Sequence, residues 1–449
     1  MVLSTADIKQ QLLPIVGSDQ VSPLSETALI SPSRAEQLFG QGKLPSYIVF
    51  PRSQTELAAV VTAAHRQQWR LLICGQASKI HWGGLTDQID VVVCTQSLDR
   101  VIAHAVGDLT VTVEAGLPLS TLQADLAQSK QYVALDPAYP DTATIGGLIA
   151  TRDTGGLRHR YGSLRDMCIG ITFVRADGQL VKAGGRVVKN VAGYDLMKLM
   201  TGAYGSLGII SEVTLRLYPI LETSSTVLVS GSQREIAELT HSLLRSALTP
   251  TAVDLLSASV LQTGPIPGEM GIAVRMQSVA ESVAVQCDRL LNQAQGLSTL
   301  TLEGNQDADF WQQLTHRFWQ GPDASAIVCK FGVVPTQTTY VLSQLTQYCQ
   351  QRGITCFGRI HAGSGTGVLR LEHEGIGKEP SSAVEWVGAV RSHCQQAHGF
   401  LTVLEAPPVL KQMIDIWGYA GNALASMHKL KQQFDPHKIL NPNRFVGGI

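Results

Sequence analysis

The residues that point most directly to chemistry in this chain are glycines. They recur at Gly193, Gly202, Gly205 and Gly208 within the segment Arg186-Val-Val-Lys-Asn-Val-Ala-Gly-Tyr-Asp-Leu-Met-Lys-Leu-Met-Thr-Gly-Ala-Tyr-Gly-Ser-Leu-Gly208. Such spacing lets a backbone approach a rigid planar or phosphorylated ligand where any Cβ would collide. Two small-residue loops precede it, Leu72-Ile-Cys-Gly-Gln-Ala-Ser-Lys-Ile-His-Trp-Gly-Gly84 and Asp136-Pro-Ala-Tyr-Pro-Asp-Thr-Ala-Thr-Ile-Gly-Gly147. No carboxylate cluster is present to hold a charge-neutralising metal, so successive backbone N–H groups in tight turns must meet any phosphate. A bound cofactor is the natural reading. Gly363-Ser-Gly-Thr-Gly367 opens like a dinucleotide fingerprint, but Val368 stands where the third glycine belongs and no helical pattern follows. A nicotinamide cofactor is therefore disfavoured.

The elements that must position these loops alternate. Tyr47-Ile-Val-Phe50 reads as a strand, residues 55–68 as a helix with Leu57, Val60, Val61, Ala64 and His65 on one face, then Leu71–Cys74 and Val91–Cys94 as strands. Residues 109–115 alternate as a half-buried strand, and Pro118 opens a helix to about Gln128. A second lobe begins near Ala134 with a short helix at Thr144–Thr151 and a hairpin, residues 171–181, turning at Asp177-Gly178. Its exit strand ends at Pro219, and the cofactor is expected between the two lobes. From about Leu221 to Val403 strands and helices alternate again, as in a sheet covered by helices on one face.

At 449 residues the chain exceeds the size of a single core. A formal net charge of -1 leaves no field for nucleic acid or an anionic membrane. Asp7 and Lys9 interrupt the place of a signal peptide's apolar stretch, and no run reaches the roughly 20 apolar residues of a membrane span. A cytoplasmic protein that meets a membrane only through a partner is expected. The eight cysteines are scattered, with no Cys-x-x-Cys and no spacing that suits an iron-sulfur cluster or a structural zinc, so buried reduced thiols are expected.

The wording of these motifs, together with Gly155-Gly-Leu-Arg-His-Arg-Tyr-Gly162 and the closing Phe434-Asp-Pro-His-Lys-Ile-Leu-Asn-Pro-Asn-Arg444, resembles the vanillyl-alcohol-oxidase (PCMH-type) FAD-binding family, nearest its glycolate oxidase E-subunit branch. The resemblance implies an α+β fold: an N-terminal helical segment (1–39), a two-lobed PCMH-type FAD-binding domain (40–221, lobes about 40–130 and 131–221), an α+β cap (222–405) and a C-terminal return (406–449). It places FAD against Cys74, Gly75, Gln76, Ala77, Ser78 and Lys79 in the first loop, and against Thr144, Ile145, Gly146, Gly147, Ala150 and Thr151 in the second. Further contacts are implied at Gly155, Tyr161, Gly162, Ile169, Gly170, Ile171, Gly208, Ile209, Asn441 and Arg444. Gln76 and Ala77 replace the family's usual glycines, and Asn443 replaces another, a residue that tolerates left-handed backbone. Where relatives attach the flavin covalently through a loop histidine, this chain has Ala77 or Ser78, so dissociable FAD is expected.

Oxidation of a 2-hydroxy acid needs a cation for the carboxylate and a base for the hydroxyl proton. Relatives carry a cap motif His-Pro-Gly-Asp-Gly-Asn-x-His that, with a later Glu-His, can hold a divalent metal. Here the corresponding stretch is His361-Ala-Gly-Ser-Gly-Thr-Gly-Val-Leu-Arg370, and although Glu372-His373 follows, no metal is expected. Arg359, His361 and Arg370 are the candidates for cation, base and cation. The implied activity is that of the FAD-binding subunit of a glycolate oxidase or dehydrogenase, converting glycolate to glyoxylate. Its implied partners are a D flavoprotein and an iron-sulfur F subunit. A free-standing FAD-dependent dehydrogenase of glycolate or D-lactate and a non-catalytic assembly subunit remain as alternatives.

Overall fold

The computed structural model describes residues 5–449 except 41, 43, 87, 186–193 and 322, with the backbone alone for residues 5–7. The basic entry Arg186–Gly193 therefore lies outside the described residues. The chain divides into two compact units: Met1–Thr154, Ser163–Ile220 and Ala420–Ile449 form the first, Gly155–Gly162 and Leu221–Tyr419 the second. Residues 406–419, grouped with the C-terminal return in the sequence reading, thus belong with the second unit, as does the short stretch from Gly155 to Gly162.

In the first unit a four-stranded sheet has the order Val21–Pro23, Tyr47–Val49, Val91–Cys94, Leu71–Cys74. The last three strands are parallel, which suits their nearly unbroken Val/Ile/Leu composition, since both faces are covered. One face, with Val49, Leu71, Val91 and Val93, packs on Leu57, Val60, Val61 and Ala64 of the helix Gln54–Gln67. Ser53 caps that helix by accepting from the Glu56 N–H. The opposite face, with Ile48, Leu72 and Val92, packs on Leu38, Phe39, Ala77 and Ile80.

A second, antiparallel sheet of this unit has the order Val101–Ala105, Thr110–Glu114, Ile209–Arg216, Cys168–Val174, Leu180–Gly184. The expected hairpin turns at Gly178, whose φ of 84° suits glycine. The strand Thr110–Glu114 is buried on both faces instead of one. Its polar residues are satisfied in place: Thr112 bonds Thr214 at 3.0 Å, and Glu114 accepts from Arg100.

The second unit is built on an eight-stranded antiparallel sheet with the order Ser298–Glu303, Thr223–Gly231, Met270–Ser278, Ala252–Ser257, Thr355–His361, Thr366–Glu372, Ala326–Gly332, Phe400–Glu405. Four long helices, Gln233–Arg245, Ala280–Gln293, Thr338–Gln350 and Pro380–Gln396, supply the core on one face. The other face carries the helix Asn305–Phe318 over Leu228, Ala273 and Phe357, and beyond that a row of charged side chains. Gly363-Ser-Gly-Thr-Gly367 is the turn between two of these strands, a hairpin and not a nucleotide loop.

All eight cysteines are free and buried. No helix among the described residues is long and apolar enough to cross a membrane.

Candidate functional site

The first unit contains a cleft with about 810 Å³ of atom-free space, including the part open to solvent. Its lining is brought together from four distant stretches of chain, 72–82, 144–151, 204–210 and 441–444, with Thr95. Among the expected cofactor residues, Cys74, Gly75, Gln76, Ala77, Ser78 and Lys79 line it, as do Thr144, Gly146, Gly147, Ala150, Thr151, Gly208, Asn441 and Arg444. Ile145 and Ile209 are buried but are not lining residues. Ile169, Gly170 and Ile171 sit inside the strand Cys168–Val174, where a Cβ on Gly170 would come within 3.1 Å of Thr214; that glycine serves sheet packing. Gly155, Tyr161 and Gly162 belong to the second unit. Sequence reasoning did not assign Ile73, Ile80, Trp82, Thr95, Tyr204, Gly205 or Ile210 to the lining. Tyr204 and Gly205 stood inside the glycine-rich segment and could have been found there.

The two small-residue loops do different work. In the first, none of the backbone N–H groups of Gln76, Ala77, Ser78 and Lys79 donates to an acceptor among the described residues. Ala77 holds φ at 54°, unusual for a residue with a Cβ, and Ala77, Ser78 and Lys79 are buried. Consecutive amides left without an internal partner in a buried turn form an anion-binding concavity. In the second loop the amides are already used: Gly146 donates to Ala115 O at 2.7 Å and Gly147 to Thr144 Oγ1 at 3.3 Å. Glycine there answers to packing, since a Cβ on Gly146 would lie 2.8 Å from the Ala115 Cβ. Even Gly75 is required by the chain itself, because its Cβ would collide with the Thr144 side chain. The second loop thus offers small surface, not donors.

The C-terminal tail holds this cleft together. Leu71 donates to Ile439 O at 2.7 Å and Asn441 to Leu71 O at 2.9 Å, so the tail runs beside the strand Leu71–Cys74. Asn441, at φ 45°, accepts from the Ile73 N–H and donates to Tyr204 O at 2.6 Å. Asn443, at φ 64°, adopts the left-handed backbone expected of it. Arg444, expected at the flavin, spends its guanidinium on the backbone carbonyls of Ile80, Trp82 and Gly84. Burial pulls its pKa down to about 10, against the Tyr204 hydroxyl, so it stays charged at neutral pH. Lys431 anchors the tail from below, its buried Nζ donating to Ser206 O and Leu440 O at 2.9 Å and to Asp435 Oδ2 at 2.7 Å. Lys79 is also buried, in an ion pair with Asp153 at 3.0 Å; burial lowers its pKa and Asp153 opposes that.

The second unit carries a separate cluster on its polar sheet face. Strand pairing sets Asp254 opposite His361 and Leu256 opposite Arg359, so period-two alternation puts Asp254, Arg359 and His361 on one side. Arg359 donates to Asp254 Oδ2 through Nε at 2.7 Å, with Nη2 at 2.6 Å, while His361 Nδ1 lies 2.5 Å from Oδ1. The Arg359 guanidinium also lies over the Trp311 ring, 5.4 Å from its centroid. Burial pushes the Asp254 carboxyl up, but Arg359 and His361 outweigh it and bring its pKa down to about 2. Arg370, the other expected cation, is tied to Glu372 at 2.6 Å and lies 3.7 Å from Asp323. His373 accepts from the Gly375 N–H and stacks edge-on against Trp386. Sequence reasoning missed Asp254; its signal was a lone carboxylate in the apolar run Ala252–Ser257.

Known proteins fall in line with this architecture. Residues 45–184 match the family described as FAD binding domain, and residues 417–445 the family described as FAD linked oxidases, C-terminal domain. The mitochondrial D-lactate dehydrogenase [cytochrome] of Arabidopsis thaliana is 24% identical over 90% of this chain and 74% of its own length. Glycolate oxidase subunit GlcE of Escherichia coli is 34% identical over 37% of this chain, which spans about half, 49%, of that subunit. A structure of p-cresol methylhydroxylase with substrate bound superposes with a TM-score of 0.76 over 98% of this chain and 96% of the other, at 14% identity, a likeness of fold. The chain is thus similar, in chain order, to an FAD-binding domain over residues 45–184 and to the C-terminal domain of FAD-linked oxidases over residues 417–445.

Proposed function

We propose that this chain binds FAD non-covalently in the cleft and serves in the oxidation of a small 2-hydroxy acid, as the FAD-binding subunit of a glycolate dehydrogenase. The observation that carries the reading is the run of amides from Gln76 to Lys79 that have no partner among the described residues, suited to a pyrophosphate. Small lining residues, Gly147, Ala150, Gly205 and Gly208, leave room for a flat ring system. Ala77 offers no atom for a covalent link, and Ser78 is a poor one, which supports a dissociable cofactor. Bound FAD supplies the two-electron oxidant. The chain's own residues would do the rest: His361 takes the hydroxyl proton, and Arg359 and Arg370 provide positive charge for the carboxylate, each already sharing its guanidinium with an internal carboxylate, Asp254 and Glu372. Glycolate is the preferred substrate in this reading, with D and F subunits as partners and cytoplasmic location, any membrane contact being made through them.

A second reading is a free-standing dehydrogenase of D-lactate or glycolate. The match to the Arabidopsis enzyme along 90% of the chain favours it. One experiment separates the two. The purified chain should show flavin absorbance, lost on denaturation with release of free FAD. Glycolate and D-lactate are then added without oxygen. Bleaching by the chain alone establishes the free-standing enzyme; bleaching only with the partner subunits establishes the complex. No flavin after incubation with FAD overturns both.

A further inference from the structure

Four side chains of the second unit, drawn from three separate stretches of sequence, meet on the polar face of the eight-stranded sheet: Asp254, Arg359, His361 and His159. The two Asp254 oxygens have different partners. Oδ2 accepts from Nε of Arg359, with Nη2 at ion-pair distance, and Oδ1 faces His361 Nδ1 at 2.5 Å. His361 is buried, yet its Nε2 makes no hydrogen bond within the described protein. His159 comes from the short helix Arg158–Tyr161, with its ring against Gly363 two residues beyond His361.

We propose that Asp254 is the positioning residue of this site: it holds the Nδ1–H of His361, which leaves Nε2 as the basic nitrogen that accepts the α-hydroxyl proton of a 2-hydroxy acid monoanion. The inference rests on the reading of the protein as a 2-hydroxy-acid oxidoreductase. An imidazole is an acceptor at one nitrogen only when the other carries the proton, and a carboxylate fixed on one side decides which. Arg359 is what makes Asp254 suitable. Because the guanidinium already balances the carboxylate, His361 gains an orienting partner without a full unpaired negative charge beside it. The proton balance is simple: the substrate O–H bond breaks, an N–H bond forms at Nε2, and the ring becomes a cation next to Asp254. Burial lowers the pKa of His159, which packs beside the cluster, and Asp254 opposes that. The charged and titratable groups around His361 are thus Asp254 and Arg359 on the sheet and His159 and Arg158 from the short helix, Arg158 reaching Thr366 at 3.3 Å.

The test compares wild type with Asp254→Asn, both loaded with FAD and with histidine labelled by nitrogen-15, the His361 signal being assigned by its loss in His361→Gln. The wild type should show the Nδ1–H form at His361, and D254N should shift it to the Nε2–H form. In anaerobic stopped-flow with glycolate or D-lactate, flavin reduction in D254N should slow by about 100-fold or more while half-saturation moves by less than about 3-fold. Asp254→Glu should recover part of the rate. The same tautomer in both proteins, or a D254N rate within about 3-fold of wild type, overturns the proposal. If D254N does not fold, D254N/R359Q removes both charges together and is held to the same tautomer shift. Should wild-type flavin resist every 2-hydroxy acid, the functional reading fails, while the tautomer measurement still decides the role of Asp254.

Discussion

The cleft of the first unit and the polar cluster of the second recognise charge by opposite means. The cleft uses backbone: amides at Gln76–Lys79 without partners among the described residues, small side chains around them, and a tail that spends its own charged groups, Lys431 and Arg444, on holding loops in place. The cluster uses side chains: a carboxylate, a guanidinium and an imidazole on strands whose register sets their spacing, and a second imidazole from a short helix. A backbone site is insensitive to side-chain identity as long as the chain keeps its path. A side-chain site is lost with one atom, even when the path is unchanged.

The sharpest way to break this contrast is Lys431→Met. It leaves the Asp435 carboxylate buried without its ion pair, and removing one partner of such a pair costs about 3–5 kcal/mol. We expect FAD fluorescence to rise at a lower temperature than in wild type, with partial recovery in K431M/D435N. Unchanged FAD release would mean that the tail does not shape the cleft.

Acid should act on the second unit. Asp254 has a folded pKa of about 2, below the unfolded carboxyl value, so its stabilisation is present above about pH 4 and is lost as pH falls through 2. Roughly 2 kcal/mol should disappear from urea-unfolding stability over that interval, and D254N should lack this component. Equal slopes in the two proteins would remove Asp254 from the account.

Ala77→Val tests the path of the first loop. A β-branched residue at φ 54° costs about 1–2 kcal/mol, so the dissociation constant for FAD should rise about 5- to 30-fold by titration, and Ala77→Gly should not raise it. The smallest expected effect is the most discriminating. Gln76→Ala keeps the amide and discards the side chain, and FAD affinity should stay within about 2-fold. A loss of about 100-fold would place recognition in the Gln76 side chain and erase the difference between the two regions.

Much of the molecule was legible from pattern. The helix at Gln54–Gln67 showed its buried face as Leu57, Val60, Val61 and Ala64. The first small-residue loop and the tail motif both reach the cleft. Other features misled. Gly146 and Gly170 are glycines for the sake of their own neighbours, and nothing local distinguishes a glycine that admits a ligand from one that admits another strand. Thr110–Glu114 alternates like a half-exposed strand, yet Arg100 and Thr214 satisfy its polar side from outside the run.

Sequence by itself determined the fold class, the order of strands and helices, and the small-residue loops that a phosphorylated cofactor requires, because periodicity and residue size act within a few neighbours. Only the tertiary structure decided that one loop keeps its amides open while the other spends them, that Arg444 serves loop carbonyls, and that Asp254 meets Arg359 and His361 across 105 and 107 residues of chain. Those outcomes depend on hydrogen-bond partners and strand register. Partners are chosen where distant segments pack, and a shift of one residue would have turned Asp254 to the other face of the sheet.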